Sequence, residues 1–416
     1  MIVTDIKLKQ GKTCELNAKV ETKSKEYSEL FYRLPDEFTQ SIHVSADPFI
    51  AALLVPSMRL GETLTVNAPA SPRLLRALPK IMAFYHNWDP KYKIIEVKTS
   101  NERQKSDYIS KVNALFFSGG LDSFYALTKL TPEKNHVSHL IFVHGFDIKL
   151  NDNMLFEKSY AAVKDIASYY GKELVLVSTN VREITDKYVS WYRCHGAGMA
   201  SVALCGPFGN VYIASDVGPN ERSLSIAAAC HPDLDPLWSS DTTALMHYGD
   251  GISRVEKAKA LANNSMAQKH LRVCMENING AYNCGRCSKC VRTMLALYMV
   301  GALSNFNFPT KLTPELVKAI NYNPDPAAIL HTEEILHELQ QRGEHQLANA
   351  LAQASNKDLS YEKEIDALRS ELTSIKKCFG YKFMRFYGSV IDQALPDGTK
   401  RGEFKRRVLH SLRGSW

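Results

Sequence analysis

The chain has 416 residues, 45% of them hydrophobic and 23% charged, with a formal net charge of +7. That balance is ordinary for a soluble globular protein, and the length exceeds that expected of one domain, so two or three units are expected. No apolar run reaches the roughly 18 residues of a membrane span, and Met1-Ile2-Val3-Thr4-Asp5 has no secretory character, so the nine cysteines are expected in a reducing, cytoplasmic setting without a disulfide framework.

Residues 1–105 contain the alternating runs Thr13-Cys14-Glu15-Leu16-Asn17-Ala18-Lys19-Val20 and Thr63-Leu64-Thr65-Val66, which read as antiparallel strands with one wet face. Ser71-Pro72 before Arg73-Leu74-Leu75-Arg76-Ala77-Leu78 predicts a capped helix with proline at its first position. A small α+β domain is expected here, serving substrate recognition or dimerisation, and the protein is expected to be a homo-oligomer.

A second unit is expected over residues 106–305. The apolar run Val112-Asn113-Ala114-Leu115-Phe116-Phe117 predicts a buried strand feeding Ser118-Gly119-Gly120-Leu121-Asp122-Ser123, with a helix after it. Two glycines let backbone N–H groups approach an anion, two serines add hydroxyls, and the helix brings its positive end, so this loop is suited to phosphate. It is not a Walker A loop, since the spacing and the lysine are absent. Leu140–Val143, Glu173–Val177 and Val211–Ala214 are further short apolar runs separated by helix-length segments. They predict an α/β fold with a doubly wound parallel sheet, whose site forms beyond the carboxyl ends of the strands and gathers Ser118, His144, Asp147, Thr179 and Asp216. Asp216 reads equally as a substrate contact or an Asx turn.

His231-Pro232-Asp233-Leu234-Asp235-Pro236-Leu237-Trp238 predicts a rigid loop, possible as a lid, in which Trp238 either stacks on a ring or anchors the loop in the core. Arg254 and Lys257 stand near the start of a helix beginning at Ser253, where the bland reading is a solvated face. Cys274, Cys284, Cys287 and Cys290 carry the Cys-x9-Cys-x2-Cys-x2-Cys spacing of a closed thiolate shell. Structural zinc is the first reading, with an iron–sulfur cluster and free core thiols as alternatives. Thr293–Gly301 predicts a core helix beside it.

Residues 306–416 are expected to form a helical extension. Ile365, Leu368, Leu372, Ile375 and Phe379 make a short heptad stripe, and residues 376–416 hold ten Lys/Arg against three Asp/Glu, a formal charge of +7. Aromatic residues interleave with the basic ones, which suits contact with nucleic acid or with an anionic inner membrane face, unless the tail is merely solvated.

The loop Ser118–Ser123 resembles the signature of the PP-loop ATP pyrophosphatases, of the adenine nucleotide alpha-hydrolase fold. Together with the four-cysteine cluster it makes residues 110–300 similar to the 7-cyano-7-deazaguanine synthase family, also called QueC-like or ExsB-like. The resemblance implies ATP and Mg2+ with structural Zn2+, and places ATP on Ser118, Gly119, Gly120, Leu121, Asp122, Ser123 and Val143. Asp122 would help hold Mg2+, Arg254 or Lys257 would face pyrophosphate, and Arg193 matches a pocket arginine. His144, Asp147, His195, Asp216 and Trp238 are the candidate substrate contacts. His144-Gly145-Phe146-Asp147 and Arg193-Cys194-His195 depart from the family's pocket sequences, so a different substrate is expected. Gly380-Tyr381-Lys382-Phe383 and Leu395–Arg401 are similar to tails of bacterial surface-polysaccharide glycosyltransferases.

The expected activity is that of an AMP-forming ligase or amidotransferase. A carboxylate or amide oxygen of a small molecule or sugar acid attacks the α-phosphorus, and ammonia or an amine then displaces AMP. The chain does not begin with the cysteine of an N-terminal-nucleophile glutaminase, so a partner glutaminase is one source of ammonia. Alternatives are 7-cyano-7-deazaguanine synthesis itself, a PP-loop sulfur transferase using Cys194, Cys205 or Cys230, and a non-catalytic ATP-binding scaffold.

Overall fold

The computed structural model describes residues 1–102, 110–130, 137–216, 229–320 and 326–355. The chain divides into the units Met1–Ser355 and Asn356–Trp416, and every element below belongs to the first. The heptad stripe and basic tail lie outside the described residues.

An antiparallel meander opens the chain, β1 (Ile2–Lys9), β2 (Thr13–Glu21) and β3 (Tyr27–Pro35). Helix α1 (Asp47–Leu60), β4 (Leu64–Val66), α2 (Pro72–Trp88) and β5 (Val97–Thr99) follow. Ser71 accepts from the Leu74 N–H at the start of α2, with Pro72 in the first turn, as the sequence predicts.

Strands then alternate with helices: β6 (Asn113–Phe116), α3 (Leu121–Lys129), β7 (His139–His144), α4 (Asn153–Tyr169), β8 (Glu173–Thr179), α5 (Val181–Thr185), α6 (Trp191–Cys205), β9 (Asn210–Ala214) and β10 (Ala244–Tyr248). Helices α7 (Arg254–Leu261), α8 (Ser265–His270), α9 (Ser288–Met299), α10 (Pro314–Ala319) and α11 (Pro326–Gln341) follow, and residues 345–355 are also helical.

Among the described residues all ten strands form one sheet, ordered β10-β9-β6-β7-β8-β3-β2-β1-β4-β5. From β10 to β8 every pairing is parallel. Alternate side chains of these strands enter opposite cores, as a period of two requires. Ala114, Phe116, Ile141, Val175, Val177, Val211 and Ile213 pack with buried residues of α1, α2 and α6. Leu115, Phe117, Leu140, Phe142 and Tyr212 pack with those of α3, α4, α7, α8 and α9. Helices therefore cover both faces, the doubly wound α/β arrangement expected from the sequence. The chain winds outward from β6 through β7 to β8, then returns to β6's other side as β9 and β10. The crevice between the carboxyl ends of β6 and β9 is thus the topological switch point, where such sheets bind ligands.

Two expectations need correction. Residues 63–66 were read as antiparallel, but β4 pairs parallel with both β1 and β5. The N-terminal region also does not form its own sheet: β3 joins β8, with Tyr32 opposite Thr179. Thr179 donates to the Phe31 carbonyl at 2.7 Å, and Asn180 accepts from the Phe31 N–H at 3.0 Å, closing the seam. Ile335 and Leu339 of α11 are buried in the same core as α9. The boundaries expected near residues 105 and 305 accordingly fall inside one compact unit. No described helix is long and apolar enough to cross a membrane.

Candidate functional site

Strand β6 ends one residue before Phe117, and the chain turns through Ser118-Gly119-Gly120 into α3. The turn needs a left-handed residue, and Gly119 supplies it with φ +77°. The Gly120 N–H donates to Ser118 Oγ at 3.3 Å, Ser123 Oγ donates to the Gly120 carbonyl at 3.0 Å, and the Arg272 N–H donates to the Gly119 carbonyl at 2.9 Å. Leu121 is buried beneath the loop and packs in the core.

Asp122, in the first turn of α3, meets two cations presented by α7. Lys257 Nζ lies 3.0 Å from Oδ1 and Arg254 Nη1 3.6 Å from Oδ2. The fully buried Lys257 also donates to the Ser215 carbonyl at 2.6 Å, tying α7 to the end of β9. Ser253 builds this helix start with a capping box to Glu256, so Arg254 and Lys257 belong to a buried face, not a solvated one. Burial pushes the Asp122 carboxyl up, but Lys257 and then Arg254 outweigh it and hold the group below its ordinary value.

Arg272 and Lys289 line the cavity that opens beside this loop, so the four cations Arg254, Lys257, Arg272 and Lys289 stand against the three carboxylates Asp122, Asp147 and Asp216. The Nε atoms of Arg254 and Arg272 are buried without a hydrogen-bond partner among the described residues. Buried donors left unmade are costly, and this surplus of positive charge and donors suits a polyanion.

The cavity holds about 190 Å³. Phe116, Ile141, Val143 and Ile213 form its apolar strand side, while Phe146, Asp147, Trp191, His195, Met199, Asp216 and Cys230 complete the wall. Gly145, at φ +109°, permits this geometry, because a Cβ there would stand 1.8 Å from the Thr179 carbonyl oxygen. Gly198 makes room for Trp191, whose ring would lie 2.6 Å from an added Cβ. The indole meets Phe146 at 4.8 Å between centroids, and Arg182 covers it at 5.4 Å while donating to the Phe146 carbonyl at 2.8 Å.

Asp147, His195, Asp216 and Val143 thus reach the cavity as the sequence suggested, together with Ser118, Asp122 and Ser123. Four other candidates are elsewhere. Thr179 is used in the seam with β3, donating to the Phe31 carbonyl. His144 stacks on Phe156 at 4.0 Å and its Nε2 lies 3.1 Å from the Lys149 carbonyl. Arg193 is not in the lining and instead acts on Tyr92, whose hydroxyl burial raises and Arg193 partly lowers. Trp238 is a buried anchor, and its segment packs in the core with Leu234 instead of forming a lid; nearby, Asp235 Oδ2 lies 2.7 Å from His247 Nδ1. Phe146, Trp191, Met199, Arg272 and Lys289 were not among the expected residues. The signal for the last two was their place at the cysteine motif, Arg272 two residues before Cys274 and Lys289 between Cys287 and Cys290.

Cys274, Cys284, Cys287 and Cys290 are all buried, with their sulfurs within 4.8 Å of one another. Cys274 Sγ and Cys287 Sγ are 4.0 Å apart, and Cys284 Sγ and Cys290 Sγ 3.9 Å. Tetrahedral thiolates at ~2.3 Å from one zinc would stand roughly 3.8 Å apart, so the cluster fits one ion such as Zn2+ and is too tight to enclose several metals. Backbone N–H groups of Asn277, Arg286, Cys287 and Cys290 donate to these sulfurs at 3.2 to 3.4 Å. Gly285 turns the knuckle at φ +67°. A shell closed by four sulfurs leaves no open position for catalysis, so an ion held there would be structural.

The cysteine cluster is also tied to the cavity. Cys287 caps α9, whose Lys289 lines the cavity and whose Thr293 accepts from Arg254 Nη2 at 3.0 Å. Asn277 donates to the Asp147 carbonyl and accepts from Arg272 Nη2, each at 2.6 Å. No family model, curated protein or solved structure matches the chain.

Proposed function

We propose that the protein is an ATP pyrophosphatase of PP-loop type, a QueC-like ligase or amidotransferase that adenylates a small-molecule carboxylate or amide. The observation that carries this reading is the Ser-Gly-Gly-Leu-Asp-Ser loop at the carboxyl end of β6, at the switch point, with Arg254, Lys257, Arg272 and Lys289 around it. The loop would take the phosphates of ATP, with the adenosine against the apolar ends of β6 and β7. An acceptor oxygen attacks the α-phosphorus, the bond to the bridging oxygen breaks, and pyrophosphate leaves against the cations.

Mg2+ on the triphosphate would supply further charge neutralisation when bound. Asp122 fits poorly as its ligand, since Lys257 and Arg254 already satisfy its charge; its role is to orient those two cations. No enzyme nucleophile is needed, because positioning and charge neutralisation supply the catalysis.

The second nucleophile is nitrogen, ammonia or an amine, which displaces AMP from the adenylate. Sulfur transfer is disfavoured because burial pushes Cys194 up to about 12 and raises Cys205 and Cys230 as well. The wall of Phe146 and Trp191, with Asp147, His195 and Asp216, would receive the acceptor. The test is to incubate zinc-loaded protein with Mg-ATP and a small-molecule extract and resolve AMP from ADP. AMP lost in Ser118→Ala supports the proposal; ADP with phosphate overturns it, and intact bound ATP would favour a binding module.

A further inference from the structure

Helix α7 carries both cations of the Asp122 cluster but is only eight residues long. Its first N–H groups have no partner within so short a helix and must be satisfied from outside. Ser253 takes the Glu256 N–H, at 3.1 Å. The Arg254 N–H is taken by Glu334 Oε1 at 2.8 Å, from α11, eighty positions away in sequence.

Helix α11 is itself fixed against the neighbouring helices. Ile335 and Leu339 are fully buried, and Arg342 Nη1 donates to the Met299 carbonyl at 2.8 Å, at the end of α9. Arg254 meanwhile reaches Thr293 with one guanidinium nitrogen and faces Asp122 with the other. The first turn of α7 is therefore held on three sides, by α3 through Asp122, by α9 through Thr293 and by α11 through Glu334. Arg254 and Lys257, three residues apart, share one helix face. A turn or slide of that helix end displaces both from Asp122 together.

We propose that Glu334 is a positioning residue for the Arg254 and Lys257 pair, so that α11 completes the site from beyond the region carrying the phosphate loop and the cysteines. This rests on the reading of the cluster as the pyrophosphate-facing charge of an ATP-cleaving site. The carboxylate also lies where a helix start favours negative charge. Displacement of α11 would be transmitted through Glu334 to the two cations.

The test compares Glu334→Ala and Glu334→Gln in the full-length zinc-loaded chain. Glu334→Gln keeps an oxygen acceptor, whereas Glu334→Ala removes it. AMP formation should fall about tenfold or more in kcat for Glu334→Ala, with KM for ATP changed less than about threefold, and Glu334→Gln should recover most of kcat. Hydrogen exchange over residues 253–258 should quicken in Glu334→Ala and return toward wild type in Glu334→Gln. Unchanged exchange and kcat in Glu334→Ala, with the same zinc content, would overturn the proposal. So would equal impairment of both variants with exchange unchanged in this helix. If wild type forms no AMP, the adenylation reading fails, and exchange over residues 253–258 alone decides whether Glu334 orders the turn.

Discussion

Lys257→Met isolates the buried charge cluster. It removes the ammonium 3.0 Å from Asp122 while leaving an unbranched side chain in the space. Stripping one partner from a buried pair costs roughly 3–5 kcal/mol. Arg254 remains 3.6 Å away and the Asp122 side chain keeps 15% exposure, so the low end, about 3 kcal/mol at neutral pH, is expected. In the wild type Asp122 is held below its ordinary value, so its contribution is present above the unfolded value near ~3.9 and is lost as pH falls through the folded value. In Lys257→Met burial prevails and the carboxyl moves above the unfolded value. The variant then loses stability as pH rises from about 4 through its new folded value. The penalty should therefore be larger at pH 7.5 than at pH 5, and about 2 kcal/mol smaller when measured in an Asp122→Asn background. Urea unfolding of the four proteins at both pH values measures this. A penalty independent of pH and unchanged by Asp122→Asn would refute the reasoning.

Zinc content should be close to one ion per chain, and Cys287→Ser should lose both the metal and the ordered start of α9, read as faster hydrogen exchange over residues 284–295. Gly145→Ala should fail to fold or lose more than about 3 kcal/mol, because its Cβ would overlap the Thr179 carbonyl and φ is +109°; near-wild-type unfolding would contradict the packing of β7 on β8. Quenching of tryptophan fluorescence by nucleotide or acceptor should be abolished in Trp191→Phe and retained in Trp238→Phe, since only the first ring lines the cavity. Gly198→Ala should weaken acceptor binding by displacing Trp191, seen as a raised acceptor KM with little change in ATP KM.

What could be read in the sequence was local. The hexapeptide Ser118–Ser123 is contiguous and its strand and helix flank it directly. The cysteine spacing specifies its own knuckle. Leu140–Val143, Glu173–Val177 and Val211–Ala214 are runs long enough to need a buried sheet, and each lies within an observed strand. The antiparallel seam between β3 and β8 could not be read, because it depends on Thr179 and Asn180 meeting Phe31 across nearly 150 residues of chain. The parallel partners of β4 are hidden for the same reason: three residues carry no information about direction. His144 illustrates a different failure, since it ends a site strand but its side chain turns to Phe156, a partner that only the packing of α4 supplies. Phe146 lies in the loop after β7 and Trp191 at the start of α6, and they become a wall only through Gly145, Gly198 and Arg182. Arg272 just before the cysteine motif and Lys289 inside it face the cavity only because of how the knuckle packs on the sheet.

The central claim is cleavage of ATP between its α and β phosphates with formation of an adenylate. Exchange of labelled pyrophosphate into ATP, in the presence of Mg2+ and a small-molecule extract, measures the reversal of that step directly. Label entering ATP with wild type, absent without extract and lost in Lys257→Met, is the expected result. No exchange, with ADP and phosphate accumulating from the same mixture, would contradict it.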